Sequence, residues 1–305
     1  MRLFNLLQLA ALAALWLTAC TQEIANEEPA VEPPIREVGR IENKNLDETS
    51  GLAFSTRDSD LIWAINDDGP ATLYAMDTEG NKRGKVRIRD AENIDWEDVA
   101  TFEDGGKHYV VVADIGDNEA RRPFVTAYVV EEPDPKDDRV DIAWRIDIRY
   151  PNGPRDAESL AVDANNGELL ILSKRDVPAE LYTVSLRGDE DEVRKAQPVA
   201  MLTALPQPTP IDLANASAAG WSWQPTAMSL SDNGLLILTY DGVYYFARSA
   251  DATWSAVVGH RPMGLPTHPY RDAESLTFGA DSATAYMTLE GLHPPLLRID
   301  LSSAQ

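Results

Sequence analysis

Arg155-Asp156-Ala157-Glu158-Ser159-Leu160 recurs unchanged as Arg271-Asp272-Ala273-Glu274-Ser275-Leu276. Six identical residues so far apart in one chain mark an internal repeat, and a repeat constrains the fold more than any single element does. With that phrase as anchor, weaker copies stand out at Asp95-Trp96-Glu97-Asp98-Val99-Ala100, Glu48-Thr49-Ser50-Gly51-Leu52-Ala53 and Thr226-Ala227-Met228-Ser229-Leu230. Each anchor leads through a turn rich in Asp, Asn or Gly to a short apolar run, at 61–66, 109–114, 169–173, 235–240 and 283–289. Runs this short, β-branched or aromatic and bounded by turn residues, read as strands. A third strand follows at 72–76, 125–130, 181–186, 243–247 and 296–301, and a fourth at 85–89, 140–150, 197–202 and 254–259. The fifth copy has no fourth strand of its own. A strand-like stretch at 36–42, ahead of the first anchor, is available to complete its sheet and tie the two ends of the domain together.

Four-stranded meanders repeated in this way cannot bury both faces alone, so they pack radially as a β-propeller. The expectation is an all-β domain over 35–305 with five blades, its ring closed by the N-terminal strand. Six blades stay open, because 203–224 is long enough to hide strands. Its prolines, Pro206, Pro208 and Pro210, with Pro225 just beyond, favour an insertion instead. A β-sandwich would account for the strands but not for the anchor repeat.

The phrases Asp95-Trp96-Glu97-Asp98-Val99-Ala100, Val112-Ala113-Asp114-Ile115-Gly116-Asp117-Asn118 with Arg121-Arg122-Pro123, and Tyr150-Pro151-Asn152-Gly153-Pro154 before the third anchor carry a family likeness. They resemble those of uncharacterised bacterial β-propeller lipoproteins, which are loosely similar to esterase-like phytase-type propellers. The likeness spans roughly 47–299. It implies the propeller fold and a secreted or lipid-anchored protein, and it carries over no catalytic residue.

Composition narrows the function. The chain has 305 residues, 27 Lys+Arg against 50 Asp+Glu, and a formal net charge of -23, with 44% hydrophobic residues. That is too apolar for disorder, and no basic run exceeds two residues, so nucleic acid is excluded as a partner. At the N-terminus Arg2 precedes an apolar stretch at 6–17, interrupted only by Gln8, which reads as a signal peptide over 1–19. It ends in Leu17-Thr18-Ala19-Cys20, which resembles a bacterial lipobox. Cys20 is the single cysteine, so no internal disulfide is possible, and acylation gives that thiol a use. Residues 20–34, rich in Glu and Pro, read as a lipid-anchored tether. The protein is therefore expected on the extracytoplasmic side of the cell envelope, touching membrane only through its lipid. Thr21, rather than Asp, after the cysteine favours the outer membrane in a Gram-negative host. A monomer is expected.

The anchors also supply chemistry. Asp95 with Glu97, Asp156 with Glu158 and Asp272 with Glu274 are acid pairs two residues apart, while the first copy has Glu48 with Ser50 and the fourth Thr226 with Met228. Spacing of two puts both side chains on one face of a strand. Seven carboxylates (Glu48, Asp95, Glu97, Asp156, Glu158, Asp272, Glu274) should then converge at one channel mouth and demand protons, basic partners or a cation. Calcium suits an all-oxygen set. Zinc asks for His or Cys, and His108, His260, His268 and His293 show no ligand spacing. Loops expected on the same face add Asp67, Asp114, Asp117, Asn118, Arg121, Arg122, Lys174 and Arg175 as candidate binders of a small anionic or polar ligand. Phosphoester or ester hydrolysis is the reaction class such a site allows. A second reading stays open: the acids only pair with Arg155 and Arg271 to lock the blades, and the protein is a non-catalytic envelope interaction module. No G-x-S-x-G occurs, so a serine nucleophile has no motif. Trp63, Trp96, Trp144 and Trp254 read as blade packing, whereas Trp221 and Trp223 sit in the insertion.

Overall fold

The computed structural model describes residues 34–189, 192–214, 222–265 and 272–302. The signal peptide, Cys20 and the tether up to residue 33 lie outside the described residues, as do Trp221, His268 and Arg271. The chain opens with β1 (Ile35–Arg40). Blade 1 comprises β2 (Thr49–Phe54), β3 (Ile62–Asn66), β4 (Thr72–Met76) and β5 (Lys82–Arg89). Blade 2 comprises β6 (Trp96–Asp104), β7 (Lys107–Asp114), β8 (Val125–Glu131) and β9 (Arg139–Arg149). Blade 3 runs β10 (Ala157–Asp163), β11 (Glu168–Ser173), β12 (Glu180–Ser185), with the short β13 (Arg194–Lys195) before the outer β14 (Gln197–Met201). After α1 (Pro210–Ala214), blade 4 runs β15 (Pro225–Ser231), β16 (Gly234–Thr239), β17 (Gly242–Ala247), α2 (Trp254–Gly259) and the outer β18 (Met263–Gly264). Blade 5 is β19 (Ala273–Phe278), β20 (Thr284–Leu289) and β21 (Pro295–Asp300), completed by β1.

This is a five-bladed propeller. The inner strands β2, β6, β10, β15 and β19 pack one against the next, and β19 returns to β2. Five apolar clusters fill the five seams between blades. Blade 2 shows why its strands read as unbroken apolar runs. Val110 and Val112 join the seam with blade 1, while Val111 and Ala113 join the seam with blade 3. Alternate side chains face opposite neighbours, and both faces are buried. Each fully buried valine contributes roughly 1.5–3 kcal/mol. Trp63, Trp96, Trp144 and Trp254 are all buried in these seams.

The insertion holds α1 and, among its described residues, no strand, which leaves five blades. Thr209 caps α1: its hydroxyl accepts from the Asp212 N–H, and the Asp212 carboxylate accepts from Thr209. The strand expected at 254–259 is instead the helix α2. The Thr253 side chain accepts from Ala256 N–H, and the buried residues are Trp254, Val257 and Val258. Their spacing of three and four is helical, and the short outer strand β18 follows it. The long β9 also does more than close blade 2. Its start pairs in parallel with β5 through Arg87 and Arg139, and its end pairs in parallel with β13 through Arg149 and Lys195. Among the described residues no helix is long and apolar enough to cross a membrane.

The ring closes where β1 pairs with β21, Ile35 opposite Ile299. Gly39 lies against the turn of blade 1, where a Cβ would meet the Glu79 carbonyl oxygen at 1.9 Å. Overpacking a tight contact of this kind costs about 1–3 kcal/mol. Gly39→Ala should therefore lower stability by that amount in denaturant unfolding, and an unchanged midpoint would show that the seam yields freely.

Candidate functional site

The loops that enter the inner strands share a face with those joining the second and third strands of each blade. Backbone bonds lock the two sets together: Asp67 N–H to Glu48 O, Gly116 N–H to Asp95 O, Lys174 N–H to Asp156 O and Glu290 N–H to Asp272 O, each 3.0–3.1 Å. At the start of every inner strand one residue falls outside the ladder: Ser50, Glu97, Glu158, Thr226 and Glu274. Five equivalent β-bulges ring the axis, and a bulge re-aims its side chain. The acid pairs therefore meet through these bulges and not through the simple alternation of a pleated strand. The bulges also correct the register of the fourth copy. Its equivalent pair is Gln224 with Thr226, both buried, whereas Met228 belongs to the seam between blades 3 and 4.

Hydroxyls at the bulges, and just after one of them, staple blade to blade. Ser50 donates to the Trp96 carbonyl at 2.7 Å, Thr226 to the Ala273 carbonyl at 2.9 Å, and Ser275 to the Thr49 carbonyl at 2.8 Å. The three acidic bulges are left for the mouth. Carboxylate oxygens of Asp67, Asp95 and Glu97 lie within 4.8 Å of one another, and so do those of Glu97, Asp156 and Glu158. Glu97, 5% exposed, belongs to both triads. Gly116 makes room for them: a Cβ there would come within 2.4 Å of both the Asp95 and the Glu97 carboxyl groups.

Two cations reach these acids, Lys174 at Glu158 and Arg175 at Asp156. Lys174 pairs with Glu158 Oε1, and its ammonium lies 5.4 Å from the centre of the Tyr240 ring. The Tyr240 hydroxyl donates to Glu274. The second oxygen of Glu158 is buried with no hydrogen-bond partner. Burial works against charge on Lys174, but Glu158, Tyr240 and Glu274 outweigh it and keep the ammonium protonated. Burial, reinforced by Glu158, Asp95 and Asp67, pushes Glu97 well above the usual carboxylate range. Burial and a hydrogen bond to Asp95 raise Asp67 to about 7, and burial with repulsion from Glu274 raises Glu290 to about 8.

The remaining candidates divide. Burial raises Glu48 in the same field, with Asp68 and Asp47 adding to the shift. Asp272 is exposed and joins neither triad. Arg175 reaches Asp156 at 2.6 Å and also Asn118. Arg122 is bound to buried Asp114 at 2.7 Å and to Gly116 O, and Asp117 accepts the Arg121 and Arg122 N–H groups. This set shapes the loop after β7 and meets the centre through the Asp117 N–H, which donates to Asp156 Oδ1 at 2.9 Å. Arg121 points outward onto Glu119. Arg155 stacks on Tyr182 and pairs with Asp176 and Glu180. His108 and His293 bond to Thr56 and to Ile41 O, away from the triads.

Three central residues lay outside the sequence-based set. Glu290 and Tyr240 occupy the position that Asp67 and Lys174 fill in blades 1 and 3, so extending the repeat past the second strand would have found them. Asp98, just after a bulge, is fully buried on the axis. Its carboxylate accepts from Val99 and Leu160 N–H at 2.8 Å and from Met228 N–H at 3.3 Å, spanning blades 2, 3 and 4. Nothing in its sequence context marks it.

The pH response follows from these shifts. Asp67 and Glu290 hold protons in the folded chain up to about 7 and about 8, while the unfolded chain releases them near pH 4. The folded state thus binds more protons across that window, so stability falls as pH rises through it. Thermal unfolding in chelator should show a midpoint dropping from pH 5 to pH 8; a rising one would remove the repulsion from the mouth.

Comparison with known proteins comes to three findings. No curated protein gives a significant match. Among solved structures, the chain resembles an aldose sugar dehydrogenase from Streptomyces coelicolor (11% identity, 87% of this chain and 97% of that one, TM-score 0.44) and a gluconolactonase from Xanthomonas campestris (14%, 83% and 71%, 0.45). A luciferin-regenerating enzyme is similar at 9% identity, over 87% of this chain and 94% of that one, with a TM-score of 0.47. A family model described as SdiA-regulated matches residues 36–249, most of the chain, and the chain belongs to that family.

Proposed function

We propose that this member of the SdiA-regulated family is a lipid-anchored envelope propeller that holds a divalent cation at its acidic mouth and binds a small anionic or polar ligand through it. The observation that carries the reading is the sharing of Glu97 between two carboxylate triads, with Lys174 the one ammonium in their midst. Buried like charges at this density call for neutralisation, and Lys174 and Arg175 supply it only on the Glu158 and Asp156 side. Asp67, Asp95 and Glu97 would hold the ion. An all-oxygen set with carbonyls nearby favours calcium over zinc. A bound cation would polarise a phosphoryl or carbonyl oxygen, and Lys174 would offset charge on the same ligand. Phosphoester or ester hydrolysis is the reaction proposed, and what supports it is the pair of carboxylate triads beside Lys174.

A second reading has its own support. Ile94, Phe124, Val177 and Leu292 are exposed at 60%, 40%, 46% and 70%, and all four lie in loops of the mouth face. Apolar side chains around an acidic centre also suit a non-catalytic docking surface for an envelope protein.

Calcium separates the two. A ligand bound only to the native state at a hundredfold excess over its dissociation constant adds about 2.7 kcal/mol. The full chain should therefore unfold at a higher temperature in calcium than in chelator, and Glu97→Gln should abolish the difference. No shift for the unaltered chain at millimolar calcium would leave the docking reading. Anchoring is tested separately: cells fed a palmitate analogue should label the chain, and Cys20→Ser should lose the label. Retained label would move the lipid, if any, to another residue.

A further inference from the structure

Away from the axis, on the seam between blades 2 and 3, lies a cavity of about 330 Å³ whose lining includes Arg122, Phe124, Arg149, Tyr150, Pro154 and Lys195. In a chain with 50 acidic residues, no carboxylate lines it. Its cations are placed against their own interest. Arg149 and Lys195 are direct partners in the parallel pairing of β9 with β13, so two exposed positive side chains stand side by side across one ladder. Like charges in that relation repel. No ion pair holds either side chain among the described residues. Tyr150, 4% exposed, also lines the cavity, and its hydroxyl is buried without a hydrogen-bond partner. Phe124, 40% exposed, and the proline beside Gly153 give the cavity apolar walls.

We propose that this cavity is an anion-binding site for a small organic acid with a flat or apolar body. Its carboxylate or phosphate lies between Arg149 and Lys195, and its body rests against Phe124 and Pro154. The volume sits at the low end of the roughly 300–1,000 Å³ typical of ligand pockets, so one ring with one charged group fits. The site stands whether or not the mouth binds a cation.

The test titrates the full chain with benzoate, phenyl phosphate, inorganic phosphate and benzyl alcohol by calorimetry. Benzoate or phenyl phosphate should bind, the stronger of the two identifying the preferred head group, while benzyl alcohol should not and inorganic phosphate should be weaker. Arg149→Gln with Lys195→Gln should weaken binding at least tenfold, with Glu97→Gln leaving it unchanged. Should the double variant misfold, Lys195→Gln alone, at an exposed position, carries the same comparison. Absence of binding by either aromatic anion overturns the proposal, as does binding that survives the charge removal or disappears with Glu97→Gln.

Discussion

Everything at the mouth depends on the bulge that interrupts each inner strand where it enters the ring. Five strands converging on an axis leave little room, and the residue just past each bulge is small or short: Gly51, Asp98, Ser159, Ala227 and Ser275. At Gly51 a Cβ would come within 2.7 Å of the backbone of blade 2. The bulge turns the preceding side chain toward the channel without breaking the strands on either side. Where that side chain is a hydroxyl it staples two blades. Where it is a glutamate, it adds a charge to a space already crowded with charge. One geometric device thus serves both cohesion and chemistry, and which it serves is decided by a single residue type per blade.

That division explains why the mouth is lopsided. At the bulges, blades 2, 3 and 5 contribute acids, while blades 1 and 4 contribute Ser50 and Thr226, whose hydroxyls are spent on backbone carbonyls. Lys174 and Tyr240 then bias the remaining charge, because both lie on the side of Glu158 and Glu274. On the opposite side, Asp67, Asp95 and Glu97 have no ion-paired cation among the described residues, and the proposed cation site falls there by subtraction. The other end of the channel is different in kind: a cavity of about 790 Å³ reached by the far ends of all five inner strands, with no acidic triad among its described residues.

The repeat made much of this legible. Strand positions followed from apolar runs because both faces of a blade are buried, and the closing strand followed from the missing fourth strand of blade 5. The acid pairs were found for a sound reason, yet their convergence was assigned to strand alternation when a bulge causes it. A bulge leaves no composition signal, so the register slipped at Thr226 and Met228, where the acids that would have fixed it are replaced. The helix at Trp254 was misread because Trp, Ala and Val also suit a strand, and only the Thr253 cap and the spacing of the buried residues tell the two apart. Asp98 depends on contacts across blades, which no local pattern encodes, whereas Glu290 lies one residue past the second strand, within reach of the repeat.

The long β9 has a further consequence. By pairing at both ends with neighbouring blades, it joins the eight strands of blades 1 and 2 into one continuous sheet and adds β13, at the rim of blade 3, as its ninth strand. Blades 4 and 5 have no such main-chain bridge at their outer edges among the described residues, and the ring is finished by the six-residue β1. Main-chain pairing is therefore uneven around the circle, so partial unfolding is expected to start at the closing seam of β1 with β21 before it reaches the bonded rims of blades 1 to 3.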